Sequence, residues 1–479
     1  MVASFGQMNG GRSPGGAAPC HGSGVSWLGG REFRAALTAL VVAVLMAAFG
    51  SAPAAANGRP NVLVVLTDDQ RLDGTMAVMP KTLQWFEAGG TRFNNAFATT
   101  PTCCPSRASI FTGRYTHNHG VATNDSSGVL DQRFTIQAYL KAAGYRTGMF
   151  GKFFNAWNVF RNPAWFDDWA IFSAGYSPFR VNERGTVKTI TQYATSYIRD
   201  NAVSFIEASE NEDATPWFME VSTTAPHAPF TPEAQYENAS VSPYEPSPAV
   251  SETDKRDKPP YIQIRTVPLA TVEATRAAQL RTLMSVDDMV QTLFETLEAT
   301  GETSNTLAFF VSDNGFMWGE HGIQGKGTAY EGSVRVPIYA RWPGHFTAGA
   351  TDNRMVANID VAPTIVDAVA GIAPGAPMDG RSLLDPLQNR TRMLTENEGQ
   401  PTDFEPAWAA LRTLTSHYIE HYDSADRQKI VHREYYDLFA DPMELDNLLG
   451  DASAANDPNT AALSAQLTAD RECVGADCP

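Results

Sequence analysis

The sequence predicts an α/β fold: a large, mostly parallel sheet flanked by helices, then a smaller C-terminal α+β subdomain with an antiparallel sheet. Three observations carry this expectation. Four apolar runs, Asn61–Thr67, 147–150, 216–221 and 307–312, each stop at polar residues. Helical patterns lie between them, and strands alternating with helices build parallel sheets. Beyond residue 385 the pattern changes to closely spaced strand-like runs. The implied organisation is a leader at 1–56, a main domain at 57–385 and a subdomain at 386–479.

In the leader, Arg31 and Arg34 precede an apolar stretch at 35–49 and the small residues Ala54-Ala55-Ala56. Basic, apolar and small residues in that order read as an export signal cleaved near Ala56, which places the protein outside the cytoplasm. The uninterrupted apolar core is short for a membrane span, so no stable membrane insertion is expected. The first strand, Asn61–Thr67, is followed at once by Asp68-Asp69. A helix is expected at 135–143, then the run 147–150 leading into Gly151-Lys152. A helix at 197–208 precedes the strand 216–221 and the loop Thr224-Ala225-Pro226-His227-Ala228-Pro229. The stretch 240–261, rich in Pro, Ser and charge, reads as a surface loop. Val286, Val290, Leu293 and Leu297 recur at helical spacing and form a core stripe. The strand 307–312 leads into Asp313-Asn314-Gly315, and 360–364 opens another helix. Asp379-Gly380-Arg381-Ser382-Leu383 reads as a turn. Runs at 408–422 and 434–439 make the smaller sheet, and 460–468 is helical. Ligands of open α/β sheets bind beyond the carboxyl ends of the strands, so the four polar ends should converge on one rim.

The chain of 479 residues carries a formal charge of −17, and removal of residues 1–56 leaves −19. With no long basic tract, nucleic-acid binding is excluded as a function, as is broad electrostatic capture of a polyanion. An anionic substrate must be met by a small local site. Of five cysteines, Cys20 lies in the leader, Cys473 and Cys478 can close a small loop, and Cys103 and Cys104 are adjacent. Vicinal cysteines pair with each other poorly.

Asp68, Asp69, Asp313 and Asn314 are hard oxygen donors, two from each of two strand ends; alone each pair reads as turn chemistry, and with the cysteine motif at 103–107 they read as a metal set. Such a set suits Ca²⁺, with Mg²⁺ as the runner-up. The most specific string is Cys103-Cys104-Pro105-Ser106-Arg107, continued by Phe111-Thr112-Gly113-Arg114. It resembles the signature of the type I sulfatases, of the alkaline-phosphatase-like superfamily, in which the first Cys is oxidised to formylglycine. Further phrases fit the same resemblance in order: His117-Asn118-His119, Gly151-Lys152 with two aromatics and Asn155, Ala225-Pro226-His227, Ser312-Asp313-Asn314-Gly315 and Tyr435-Tyr436-Asp437-Leu438. In style they are nearest to N-acetylglucosamine-6-sulfatases and the related heparan endosulfatases.

The resemblance implies a sulfuric ester hydrolase whose nucleophile is a hydrated formylglycine made from Cys103 by a formylglycine-generating enzyme. It implies that position 103 joins Asp68, Asp69, Asp313 and Asn314 around the metal. Arg107, Lys152, His227 and Lys326 match the family's sulfate-binding set, with His227 as acid for the leaving alcohol. Asn155 and His119 are expected at the substrate. Pro105 and Ser106 are expected to open a helix whose free N–H groups favour an anion. One departure stands out: Phe154 occupies the position where many arylsulfatases carry a histidine base, so His117, His119 or water must take that proton. His321 is a further rim candidate. The expected substrate is a 6-sulfated N-acetylglucosamine or similar sugar, or an aryl sulfate, attacked at chain ends rather than inside a polymer. Two other readings compete: a phosphonate monoester or phosphodiester hydrolase on the same scaffold, and a non-catalytic sulfated-glycan-binding protein.

Overall fold

A computed structural model describes residues 58–211, 214–399 and 407–479, so the export-signal expectation for 1–56 lies outside the described residues. Strand β1 (Asn61–Thr67) is buried along its whole length. Val62, Val64 and Leu66 join one core with Cys104, Ala108, Ile136 and Val361. Leu63 and Val65 join a second with Ile198, Phe205, Val286 and Val290. A strand apolar on both faces belongs inside a sheet covered on both sides.

The remaining strands of the main domain are β2 (Thr91–Phe97), β3 (Arg146–Lys152), β4 (Asp168–Phe172), β5 (Phe179–Glu183), β6 (Thr186–Ile190), β7 (Trp217–Ser222), β8 (Thr306–Ser312), β9 (Met317–Trp318), β10 (Gln324–Gly325), β11 (Ile338–Arg341) and β12 (Ala350–Ala357). Nine of them join β1 in one ten-stranded sheet in the order β12-β2-β11-β8-β1-β7-β3-β4-β5-β6, and β9 and β10 make a separate hairpin. The central strands β8, β1, β7, β3 and β4 run parallel. The antiparallel pairs are β11 with β8 and β2, β4 with β5, and β5 with β6. The four strands legible in the sequence are therefore neighbours at the centre, and their carboxyl ends are level. Thr67 lies opposite Ser312, Leu66 opposite Ser222, and Gly151 opposite Ser222. The expected rim exists.

Helices α1 (Cys103–Thr112), α2 (Ile136–Ala142) and α5 (Val361–Ala368) cover the first face; α3 (Ala194–Glu210) and α4 (Leu269–Thr300) cover the second. The stripe Val286, Val290, Leu293 and Leu297 on α4 is fully buried, as expected. Among the described residues no helix is long and apolar enough to cross a membrane. The C-terminal sheet is an antiparallel meander of β13 (Met393–Asn397), β14 (Trp408–Arg412), β15 (Ser416–Tyr422) and β16 (Ile430–Asp437), with α6 (Thr460–Asp470) beside it. Cys473 and Cys478 form a disulfide.

Two expectations are corrected. The stretch 240–261 is not simply a surface loop: Ala249, Lys255 and Lys258 are buried. Lys258 donates to Leu445 O at 2.6 Å and to the Asp257 carboxylate at 2.9 Å, which satisfies a charge that burial would otherwise penalise. The helix of the cysteine motif starts at Cys103, two residues before Pro105, because Thr102 is extended and Ser106 N already bonds back to Thr102 O.

Candidate active site

Cys103 is the first residue of α1, where unsatisfied N–H groups and the helix dipole favour negative charge. Every residue of α1 is buried, wedged against the sheet and α5. The helix is held at the rim by polar contacts from beyond it. Ser106 donates to Asp313 O and accepts from Asn358 Nδ2 at 2.8 Å. Arg107 Nε donates to Asp313 Oδ2 at 2.9 Å, and its Nη1 donates to Lys152 O and to Ser222 Oγ, both at 2.7 Å.

The strand ends then deliver charge to Cys103. Its Sγ lies 3.3 Å from Asp68 Oδ1, 3.5 Å from Lys152 Nζ and 2.7 Å from Lys326 Nζ. Lys152 pairs with Asp68, and Lys326 pairs with Asp69. Asp313 Oδ1 accepts from Asp69 N at 3.1 Å, and Asn314 Nδ2 donates to Asp69 Oδ1 at 2.7 Å. His227 Nε2 stands 3.8 Å from Asp69 Oδ2, while Nδ1 lies 2.8 Å from Ala228 O. That hydrogen bond makes Nδ1 the N–H and turns Nε2 toward the cluster. Lys152 is buried, whereas Lys326 and His227 keep 19% and 25% of their side chains exposed; these two form the mouth. Backbone geometry supports the placement. Gly151 has φ +119°, and a Cβ there would lie 1.8 Å from Ser222 O.

The electrostatics bear on both nucleophile and metal. Burial, reinforced by Asp68, pushes the Cys103 thiol well above its usual range despite the two lysines. Burial also pushes Cys104 up to about 11. Both sulfurs are neutral thiols at neutral pH, so neither is a ready thiolate nucleophile. Burial acts to raise Asp68, but Lys152, His227, Arg107 and Lys326 together hold it well below the carboxylate range. Its partner Asp313 is raised by burial and by Asp68. A divalent cation takes hard oxygen donors of the kind gathered here. The donors fit such a cation. Asp68, Asp69, Cys103 and His227 offer ligand atoms within 4.8 Å of one another. Asn314 Oδ1 is buried with no hydrogen-bond partner.

The structure thus brings together Cys103, Asp68, Asp69, Asp313, Asn314, Lys152, His227 and Lys326. Arg107 is fully buried: it binds Asp313, Lys152 O and Ser222, while its Nη2, 3.6 Å from Asp68 Oδ2, has no hydrogen-bond partner and is left toward the cluster. His119 lies away from the cluster: its Nδ1 accepts from Val121 N at 3.1 Å and its Nε2 lies 3.0 Å from Ser109 Oγ. Burial lowers its pKa to about 3, and it serves as a neutral packing group under α1. His117 is engaged by Glu396 at 3.1 Å and Cys473 O at 3.0 Å. His321 is buried, 2.7 Å from Glu252, so it is no rim residue. Asn155 meets α1 at Cys104, its N donating to Sγ at 3.1 Å. Phe154 packs edge-on against Phe153 and beside Phe111 in the core. Sequence reasoning missed Ser222, Asn358, Asn397 and Trp408. Of these only Ser222 carried a signal, as the polar residue ending a strand.

The protein-family comparison matches residues 60–372 to the model described as Sulfatase, and residues 319–472 to N-sulphoglucosamine sulphohydrolase, C-terminal. The chain is 34% identical over 362 residues to the "Extracellular sulfatase SULF-1 homolog" of Drosophila melanogaster, covering 71% of this chain and 32% of that protein. It therefore spans about a third of that relative's length. It is 30% identical over 473 residues to the N-acetylglucosamine-6-sulfatase of Homo sapiens, covering 86% of this chain and 85% of that one. Among solved structures, it is similar to a protein in complex with its substrate D-glucosamine-2-N,6-O-disulfate. That likeness has a TM-score of 0.72 and 26% identity, over 86% of this chain and 98% of the other.

Proposed function

The chain belongs to the sulfatase family, and on that premise we propose that it hydrolyses the 6-sulfate of an N-acetylglucosamine-type sugar, with formylglycine at position 103 and a bound Ca²⁺. One observation supports this above the others. The Cys103 side chain, at a helix N-terminus, lies within 3.5 Å of two lysine ammoniums and one carboxylate of an oxygen-rich cluster. A buried neutral thiol there has little use as a nucleophile, whereas its oxidised form has one. A hydrated formylglycine at position 103 would supply two hydroxyls on one carbon, one for attack on sulfur and one for the later release of sulfate. A Ca²⁺ would be held by Asp68, Asp69, Asp313, Asn314 and position 103, and would supply positive charge beside the ester oxygens.

The chain's own residues do the rest. Asp68, Asp69 and Asp313 formally balance Arg107, Lys152 and Lys326, so a divalent cation leaves the site positive, complementary to a sulfate ester. Lys326 and Lys152 converge on the reacting position and stabilise charge as it builds on the ester oxygens. His227 donates Nδ1–H to Ala228 O, so a proton carried on Nε2 sits at the mouth, where the leaving alcohol departs. Arg107 fixes Asp313 and the end of β3. With Phe154 packed away and His117 and His119 committed elsewhere, the proton released in the last step passes to water.

We further propose secretion after cleavage near Ala56, maturation by a formylglycine-generating enzyme, and a functional division at residue 385. The test is a panel of defined sulfated mono- and oligosaccharides, with phosphate and phosphonate esters of the same alcohols, assayed for released anion. Preferred release of sulfate from N-acetylglucosamine-6-sulfate is expected. Preference for choline sulfate, a steroid sulfate or a phosphonate ester over every sugar sulfate would overturn the assignment.

A further inference from the structure

Lys326 sits between Gly325, with φ +140°, and Gly327, with φ +91°. Two glycines in left-handed backbone leave the loop little stiffness of its own. Its position must be fixed from outside, and the C-terminal sheet supplies the fixing atoms. Asn397 ends β13 and Trp408 begins β14, paired across from each other. Asn397 Nδ2 donates to Gly327 O at 2.9 Å, and Trp408 Nε1 donates to the same oxygen at 2.7 Å. Both side chains are buried, with 7% and 1% exposure. Two donors on one carbonyl fix the plane of the Gly327–Thr328 peptide, one residue past Lys326.

The same asparagine reaches the nucleophile's side. Asn397 Oδ1 accepts from Thr102 Oγ1 at 3.4 Å, and Thr102 is the residue immediately before Cys103. Its neighbour Glu396 anchors the strand to the same region, donating N–H to Thr99 O at 2.8 Å and accepting from His117 N at 3.2 Å. One strand end thus ties the backbone before position 103 to the backbone after Lys326. The separation these ties govern is the 2.7 Å between Lys326 Nζ and Cys103 Sγ.

We propose that Asn397 and Trp408 are positioning residues, with which the C-terminal sheet sets the reach of Lys326 onto residue 103. The inference rests on the reading of Lys326 as a group that stabilises reaction charge. Misplacing a preorganised cation by about 1 Å costs rate and leaves ground-state binding nearly intact, because its effect grows as charge develops.

The test compares Trp408→Phe, which keeps the ring and deletes the donor, and Asn397→Ser, which removes the bridge, with Lys326→Ala. Steady-state kinetics on N-acetylglucosamine-6-sulfate and on an aryl sulfate are normalised to formylglycine content by peptide mass. The expected result is a fall in kcat of about tenfold or more for each donor variant, with KM within about twofold. Unchanged kcat in either folded donor variant, beside a large loss in Lys326→Ala, would overturn this inference alone. So would a rise in KM at constant kcat. Undiminished turnover in Lys326→Ala would instead overturn the role given to Lys326. Should Trp408→Phe fail to fold, Asn397→Ser decides.

Discussion

Glu220 on β7 should make this protein less stable as pH rises through neutrality. Its side chain faces the α1 side of the sheet and is 1% exposed, and Oε1 finds no hydrogen-bond partner. Burial pushes its carboxyl up to about 8, with Arg107 only partly opposing. The folded state therefore holds a proton that the unfolded chain, with an ordinary value of 4.5, gives up much earlier. Between those two values the native state binds more protons, so stability is complete below about pH 4.5 and is lost as pH rises toward 8. One pKa unit is worth about 1.4 kcal/mol, so the cost reaches roughly 3 kcal/mol at pH 7 and about 4 kcal/mol at pH 8. Glu220→Gln has nearly the same shape and never ionises. Urea unfolding of wild type and variant at pH 5, 7 and 8 should show similar midpoints at pH 5 and a growing advantage for the variant above it. A difference that is flat with pH, or that favours wild type at pH 8, would refute the reasoning by showing Glu220 ionised in the fold.

Gly151→Ala should destabilise the fold by about 4 kcal/mol or more, or block expression, because its Cβ would overlap Ser222 O and its φ is +119°; thermal melting measures it, and a wild-type melting temperature would contradict the placement of Lys152. His227→Ala should lose about 10²-fold to 10⁴-fold in kcat on a sugar sulfate but about tenfold or less on a nitrophenyl sulfate, whose leaving group needs no proton. Equal losses on both substrates would remove the acid role. Chelation should abolish sulfate release and lower the melting temperature, and Ca²⁺ should restore both more fully than Mg²⁺; Asn314→Ala should raise the Ca²⁺ concentration needed. Insensitivity of melting to Ca²⁺ would contradict the metal site.

What was legible in the sequence followed from burial and from short-range order. A strand buried on both faces must be continuously apolar, so Asn61–Thr67 and Thr306–Ser312 announced themselves, and so did the acids placed just past them. Strands of other character were not legible. The β6 segment Thr-Val-Lys-Thr-Ile is mostly exposed and lacks any apolar periodicity, and β13 reads Met-Leu-Thr-Glu-Asn, buried but polar at its end. The resemblance placed His119 at the substrate, whereas in the fold the chain turns under α1 and both ring nitrogens are taken by Ser109 and Val121. The motif's Arg107 was legible as functional but not as a strut, since its partners Asp313 and Ser222 lie 206 and 115 positions away. Asn358, Asn397 and Trp408 stayed silent for the same reason. Their meaning lies in contacts with Ser106, Thr102 and Gly327, which only the tertiary fold creates.

The central claim is that residue 103 reaches the active protein as an aldehyde and that this aldehyde drives sulfate release. The most direct measurement is mass spectrometry of the peptide containing residue 103, taken from the enzyme fractions that release sulfate from N-acetylglucosamine-6-sulfate. The account predicts a residue about 18 Da lighter than cysteine, in an amount proportional to activity across preparations. It also predicts no release by a folded Cys103→Ala. Full activity in protein whose Cys103 is entirely an unmodified thiol, or in Cys103→Ala, would contradict it.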